Sequence, residues 1–300
     1  MSYRDNLLKA YFDGNFLAEV YACLSADREE REAVASELAA LHNEKLVDVV
    51  EAFGALDGTG SNGPDFFLTR HAFEQALPYL DAPVISVMRC VLHLYRSAGQ
   101  DLAAGTIVGK FVDFCASQPL RPQEALTEIE VNYSDYSDLL AATIAAGFRV
   151  NSQVFLNHAI RLSKDVNVDL RRGAIFSLAN FDSQGSAELV EQAIAGLESS
   201  VDVETEDGAL AAAVRAAQAL LQRDRSQEQR ITALIAKALS KGGDFTLHAA
   251  SEVLFLHTAG PPAQLVGVLL FNLASSGESV GDFSRFPTWN SVGFDFYAWS

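Results

Sequence analysis

Apolar residues recur along most of this chain at spacings of three and four, with charged residues between them, so helices are expected throughout. The run "EREAVASELAALHNEKLVDVVEAF" from Glu30 places Val34, Leu38, Leu41, Leu46, Val49 and Val50 near one face, with Glu and Lys opposite, and predicts one amphipathic helix. Asp27 followed by Glu30 has the spacing of a capping box at its start. Glycines at 54, 58, 60 and 63, then Pro64, end the pattern and mark a first boundary. Further helices are predicted over 70–80, 82–97, 104–117 and 122–131, separated by Gly99, Pro119 and Pro122.

From Ser137 the helical segments shorten and pair: 137–148 with 151–164, 168–180 with 186–199, 207–224 with 226–241, and 245–258 with 262–276. Ser226 with Gln229 looks like a second capping box. Antiparallel pairs joined by short turns are the unit of an α-solenoid. The expected class is all-α, divided into an N-terminal helical region (1–131), helical repeats (132–276) and an irregular aromatic tail (277–300).

One segment resembles a known family. In "VDLRRGAIFSL", Val168 to Leu178, the residues Asp169, Leu170, Arg171, Ala174, Ser177 and Leu178 stand where HEAT repeats carry a turn Asp, an apolar residue, an Arg, and small and apolar residues at helical spacing. Small residues there allow close approach of neighbouring backbones. Ala142 and Ala145, Ala216 and Leu220, and Ala250 and Leu254 echo the same face, at intervals of 32, 42 and 34 residues. The resemblance to HEAT/armadillo-type repeats covers about 137–276 and implies a stacked, curved helical array, commonly a surface for binding other macromolecules; it does not imply a reaction.

Charge narrows the partners. With 39 acidic against 22 basic side chains the net charge is −17, which opposes binding to nucleic-acid phosphates or an anionic membrane and favours basic proteins. The first residues mix charge with apolar side chains, unlike a secretion signal. No stretch reaches the roughly 18 uncharged apolar residues of a membrane span; the longest apolar run, Leu265 to Ala274, reads as a buried helix. Cys23, Cys90 and Cys115 are odd in number and set among apolar neighbours, so they read as buried free thiols in a reducing cytoplasm.

Catalytic patterns fail where they are sought. The six histidines form no HExxH and no Cys/His zinc spacing. His248 and Glu252 share a helix face, with His257 beyond them, and read as a polar pair beside a helical core. "DGTGSNGPDFF" from Asp57 has Asn62 where a calcium loop needs glycine and Leu68 where it needs a bidentate Glu. No cofactor, metal or catalytic residue is assigned.

Two acidic runs remain. Glu124, Glu128, Glu130, Asp135 and Asp138 surround Tyr133 and Tyr136, a composition suited to holding a partner's basic side chains by ion pairing and stacking. Glu198, Asp202, Glu204, Glu206 and Asp207 read instead as a solvated linker. In the tail, Phe283, Phe286 and Trp289 are expected to fold back as anchors over the end of the stack. Trp289 and Trp299 complete the expected partner-binding set.

The composite expectation is a cytoplasmic, non-catalytic acidic scaffold or inhibitor of a basic protein. The alternative is an enzyme or small-molecule binder with a pocket using His158, His248, Glu252 and Tyr133.

Overall fold

The structure, a computed structural model, describes residues 3–24, 28–57, 64–99, 101, 103–181, 186–255 and 261–275. Among them every regular element is helical, as the apolar spacing requires. The expected aromatic tail, with Phe283, Phe286, Trp289 and Trp299, lies outside the described residues, as do His257 and the 58–63 glycine loop. Packing divides the chain into two compact units, with the boundary between Ala146 and Gly147.

The first unit contains α1 (Tyr3–Asp13), α2 (Phe16–Cys23), α3 (Arg28–Asn43), α4 (Val49–Phe53), α5 (Phe66–Ala76), α6 (Val84–Ser97), α7 (Thr106–Ala116), α8 (Arg121–Val131), α9 (Tyr133–Tyr136) and the first residues of α10 (Leu140–Leu162). The helix predicted from Glu30 to Phe53 is broken in two. Lys45 adopts a positive φ of 62°, and Asp48 caps a new helix by accepting from Glu51 N–H at 3.0 Å. Leu46, expected on the buried face, is consequently exposed. In this unit α3 packs on α1 and α5, and α5 on α7, while α4 packs on α2 and α6, and α6 on α8. Phe53 and Phe73 stack at 4.9 Å in the core.

The second unit holds the remainder of α10 and α11 (Val168–Ser177), α12 (Ala187–Val203), α13 (Asp207–Arg223), α14 (Glu228–Lys241), α15 (Asp244–Phe255) and α16 (Ala263–Ser275). The first predicted pair, 137–148 with 151–164, corresponds to the two halves of α10, which meet at a kink at Asn151, whose φ and ψ of −155° and 90° are not helical. Here α13 packs on both α11 and α15, and α14 on both α12 and α16. The sequence of α13, "DGALAAAVRAAQALLQR", is alanine-rich on every side, and the helix is buried from Gly208 to Gln218. Gly196 admits equally close packing, since a Cβ there would lie 2.8 Å from Ile160 Cγ1.

Ser226 does not cap α14. It lies in a 3-10 turn, where Asp224 accepts from its N–H at 2.9 Å and from its hydroxyl at 2.6 Å. The segment Tyr133–Leu162 is long and apolar enough to cross a membrane by length and composition, but 67% of its most apolar window is buried within the protein, as in a core helix.

The run expected as a solvated linker, Glu198 to Asp207, is instead a bonded seam. Glu204 is buried and takes two bonds from Arg171, at 2.8 and 3.2 Å. Glu198 pairs with Arg230 at 2.6 Å and Asp202 with Lys237 at 2.5 Å. The Asp207 carboxylate accepts from the backbone N–H groups of Gly243 at 2.7 Å, Phe245 at 2.9 Å and Thr246 at 3.1 Å, thereby capping α15 from the start of α13. Sequence could not distinguish these acids from solvated ones, because their partners lie more than thirty residues away.

Candidate functional site

In α6, Val84, Val87, Met88, Val91 and Leu94 are buried, which leaves Ser86, Arg89, His93 and Arg96 along the opposite face at spacings of three and four. This polar stripe forms the floor of two adjoining clefts in the first unit. One, of about 600 Å³, is bounded by Ser97 and by Asp135 and Tyr136 of α9. The other, of about 540 Å³, is bounded by His42, Asp48, Glu51, Pro83 and Cys90. Both include Arg89 and His93.

The polar side chains are held in place. Arg89 Nε donates to Tyr136 Oη at 3.1 Å, and this bond holds the guanidinium above its ordinary pKa. His93 bonds to the carbonyl of Leu56 through Nε2 at 2.8 Å. Arg96 Nη2 donates to the carbonyl of Asp135 at 3.0 Å and to Asp138 Oδ2 at 2.9 Å. Burial pushes the Cys90 thiol pKa up, and it holds the His42 imidazole below its ordinary value despite the Asp48 carboxylate 3.8 Å away.

Cys90, His42 and Asp48 thus share a cleft, a grouping no local motif announced. Their chemistry does not match a thiol nucleophile and its base. Val49 N–H donates to His42 Nδ1 at 3.3 Å, which leaves the proton of the neutral ring on Nε2, and a buried thiol with a raised pKa is the unreactive form.

The acidic and tyrosine run lies where the sequence placed it, on α8, α9 and the turn that follows, but three of its residues engage arginines of the chain itself. Tyr136 is buried and accepts from Arg89; Asp138 and the Asp135 carbonyl accept from Arg96. Glu128 accepts from Asn132 Nδ2 at 2.8 Å, Glu130 is half-buried, and Glu124 and Tyr133 are exposed. Sequence reasoning passed over Arg89, His93 and Arg96. Their helical spacing was readable, but their proximity to α9 depends on how α6 and the residues after it fold together.

Of the alternative set, the structure joins His248 to Glu252, Nε2 to Oε1 at 3.4 Å. Glu252 also pairs with Arg215 at 2.7 Å, in the core beside α13. His158 lies on α10 against Phe155, with ring centroids 5.6 Å apart, and Tyr133 belongs to the first unit. Burial lowers the Arg215 pKa, so this trio is an internal ion-pair network of a kind that supports packing. Among the described residues no three His, Cys, Asp or Glu side chains are grouped to hold a metal ion.

Comparison with protein-family models, curated proteins and solved structures finds no match to this chain.

Proposed function

We propose that this chain is a non-catalytic protein-interaction module, a cytoplasmic α-solenoid of stacked HEAT-like helix pairs that binds a protein partner bearing a basic surface. One observation carries the reading. Many of the chain's side-chain hydrogen bonds between helices join positions 32 to 42 apart. Asn43 to Tyr79, Arg70 to Thr106, Arg121 to Leu80, Ser163 to Ser200, Arg171 to Glu204 and Arg215 to Glu252 all follow this interval. A repeat of one helix pair stacked on the next produces such a period, since each unit touches only its neighbours.

The HEAT resemblance gains support from the same bonds. Arg171, the Arg of the resembling segment, is the residue that reaches one interval ahead to Glu204, and Asp207 reaches a further interval to the start of α15. Exposed Glu124 and Tyr133, with the net charge of −17, supply a surface that attracts cations.

Affinity capture with the full chain tests the reading. A partner released by salt, and lost when Glu124→Lys and Glu128→Lys are combined, is the expected result. Capture unchanged by that double substitution would remove the acidic surface from the proposal. A second reading, small-molecule binding, draws on cleft volumes of about 540 and 600 Å³, which fall in the range of ligand sites. Thermal shift against a metabolite library addresses it.

A further inference from the structure

We propose that the cleft between α6 and α9 seats a carboxylate presented by a peptide segment of the partner, gripped by the Arg89 guanidinium with the Tyr136 hydroxyl and Ser97 beside it. The proposal rests on the interaction reading above, and it assigns a local chemistry that the overall acidity of the chain would not suggest.

The argument begins with the free capacity of Arg89. Its Nε is committed to Tyr136 Oη, and among the described residues neither Nη group has a hydrogen-bond partner. Tyr136 is 6% exposed, so the anchor is fixed and the guanidinium is oriented before anything binds. An arginine fork held in one orientation matches a carboxylate in two parallel hydrogen bonds and gives up little side-chain freedom on binding. Because Tyr136 Oη accepts from Arg89, its own hydrogen remains available to a second acceptor in the same cleft. Ser97 adds a third donor on the wall.

Local charge selects the ligand. Arg96 also lines the cleft, but its charge is matched by Asp138 at 2.9 Å. Asp135 lines the cleft as well, and Glu128 lies near enough to act on Arg89 electrostatically. One cation with an open fork among these acids suits a singly charged planar carboxylate. A phosphate dianion would meet the same fork with a second charge unmatched and acids on the rim.

The adjoining cleft indicates a chain rather than an isolated acid. It continues past Arg89 and His93 over Val50, Gly54, Ala82, Pro83 and Cys90, an apolar bed beside Asp48 and Glu51. A segment with its carboxylate at Arg89 has there a surface for its neighbouring residues, and a basic residue at that end would face the two acids.

The test uses the full chain labelled with nitrogen-15 and follows the Arg Nε–H signals during titration with a blocked peptide, acetyl-Lys-Ala-Ala-Glu-amide. Parallel titrations use acetate, inorganic phosphate and sodium chloride at matched ionic strength. The Arg89 signal is expected to shift saturably with the peptide and at least about fivefold more weakly with acetate, since acetate makes only the fork contact. Followed at the Nε–H signal of Arg96, which lines the same cleft, Arg89→Gln should abolish saturation, whereas Arg225→Gln, at an exposed arginine of the second unit, should leave the Arg89 response unchanged.

A linear response identical to that of chloride would overturn the site. Tighter binding of phosphate would overturn the carboxylate assignment, and equal affinity for acetate would overturn the peptide. None of these arms involves the native partner, so their failure is distinct from failure of the capture experiment.

Discussion

Asp207 sits at the first position of α13, yet its carboxylate serves another helix. Gly243, Phe245 and Thr246 N–H groups all donate to it, and the Thr246 hydroxyl bonds to it as well, so the start of α15 is capped from 36 to 39 residues away. Asp207→Ala leaves three amide donors at a half-buried helix end without their acceptor. A lost cap costs about 1 kcal/mol, and hydrogen bonds to a charged group contribute about 1.5–3 kcal/mol. Water reaching the exposed part of the site offsets some of this, so a net loss of about 2 kcal/mol is expected. For a unit of this size that corresponds to a fall in Tm of about 4–8 °C.

Asp207→Asn keeps one carbonyl acceptor but loses the charge and the oxygen that serves Phe245, and should fall about midway. Calorimetry gives the overall loss, and amide exchange locates it, with protection falling first at Phe245 and Thr246. Wild-type stability to within about 0.5 kcal/mol for Asp207→Ala, together with unchanged exchange at these amides, would refute the capping argument.

Glycine substitutions should part in sign. Gly196→Ala drives a Cβ into Ile160 and should cost about 1–3 kcal/mol, whereas Gly267→Ala, with open space around it in α16, should gain about 0.5–1 kcal/mol in chemical denaturation. Burial alone would raise the Glu204 pKa, but bonds from Arg171 and the backbone N–H groups of Glu206 and Thr205 outweigh it and hold the carboxyl below its ordinary value of 4.5. A depressed carboxyl stabilises the fold fully above that ordinary value and loses its contribution as pH falls through the folded one; Glu204→Gln should therefore flatten the acid limb of the stability profile. Thiol titration should find Cys90 and Cys115 protected until unfolding and Cys23, pushed up to about 11 by burial and the nearby Glu19, slow to react at neutral pH.

Most helices were legible because their signals are local. The buried face of α6 follows from the spacing of Val84, Val87, Met88, Val91 and Leu94, and the 207–224 prediction matches α13 to within a residue. Where a local signal misled, a competing backbone conformation won. Lys45 entered the left-handed region and split a helix that the apolar pattern carried through, and Ser226 resembled a cap in a stretch that Asp224 organises.

The sequence by itself determined the helical class, the acidity and the approximate extent of most helices, since all three depend on residue identity and near-neighbour spacing. Tertiary structure alone decided what the charges do. Glu204 and Asp207 became internal staples rather than solvated acids, Tyr136 and Asp138 met the chain's own arginines, and the Arg89 Nη groups face a cleft with no partner among the described residues. The physical reason is range: helical periodicity is set over a few residues, whereas pairs such as Arg171–Glu204 and Arg230–Glu198 join different helices 33 and 32 positions apart and depend on which helices pack together.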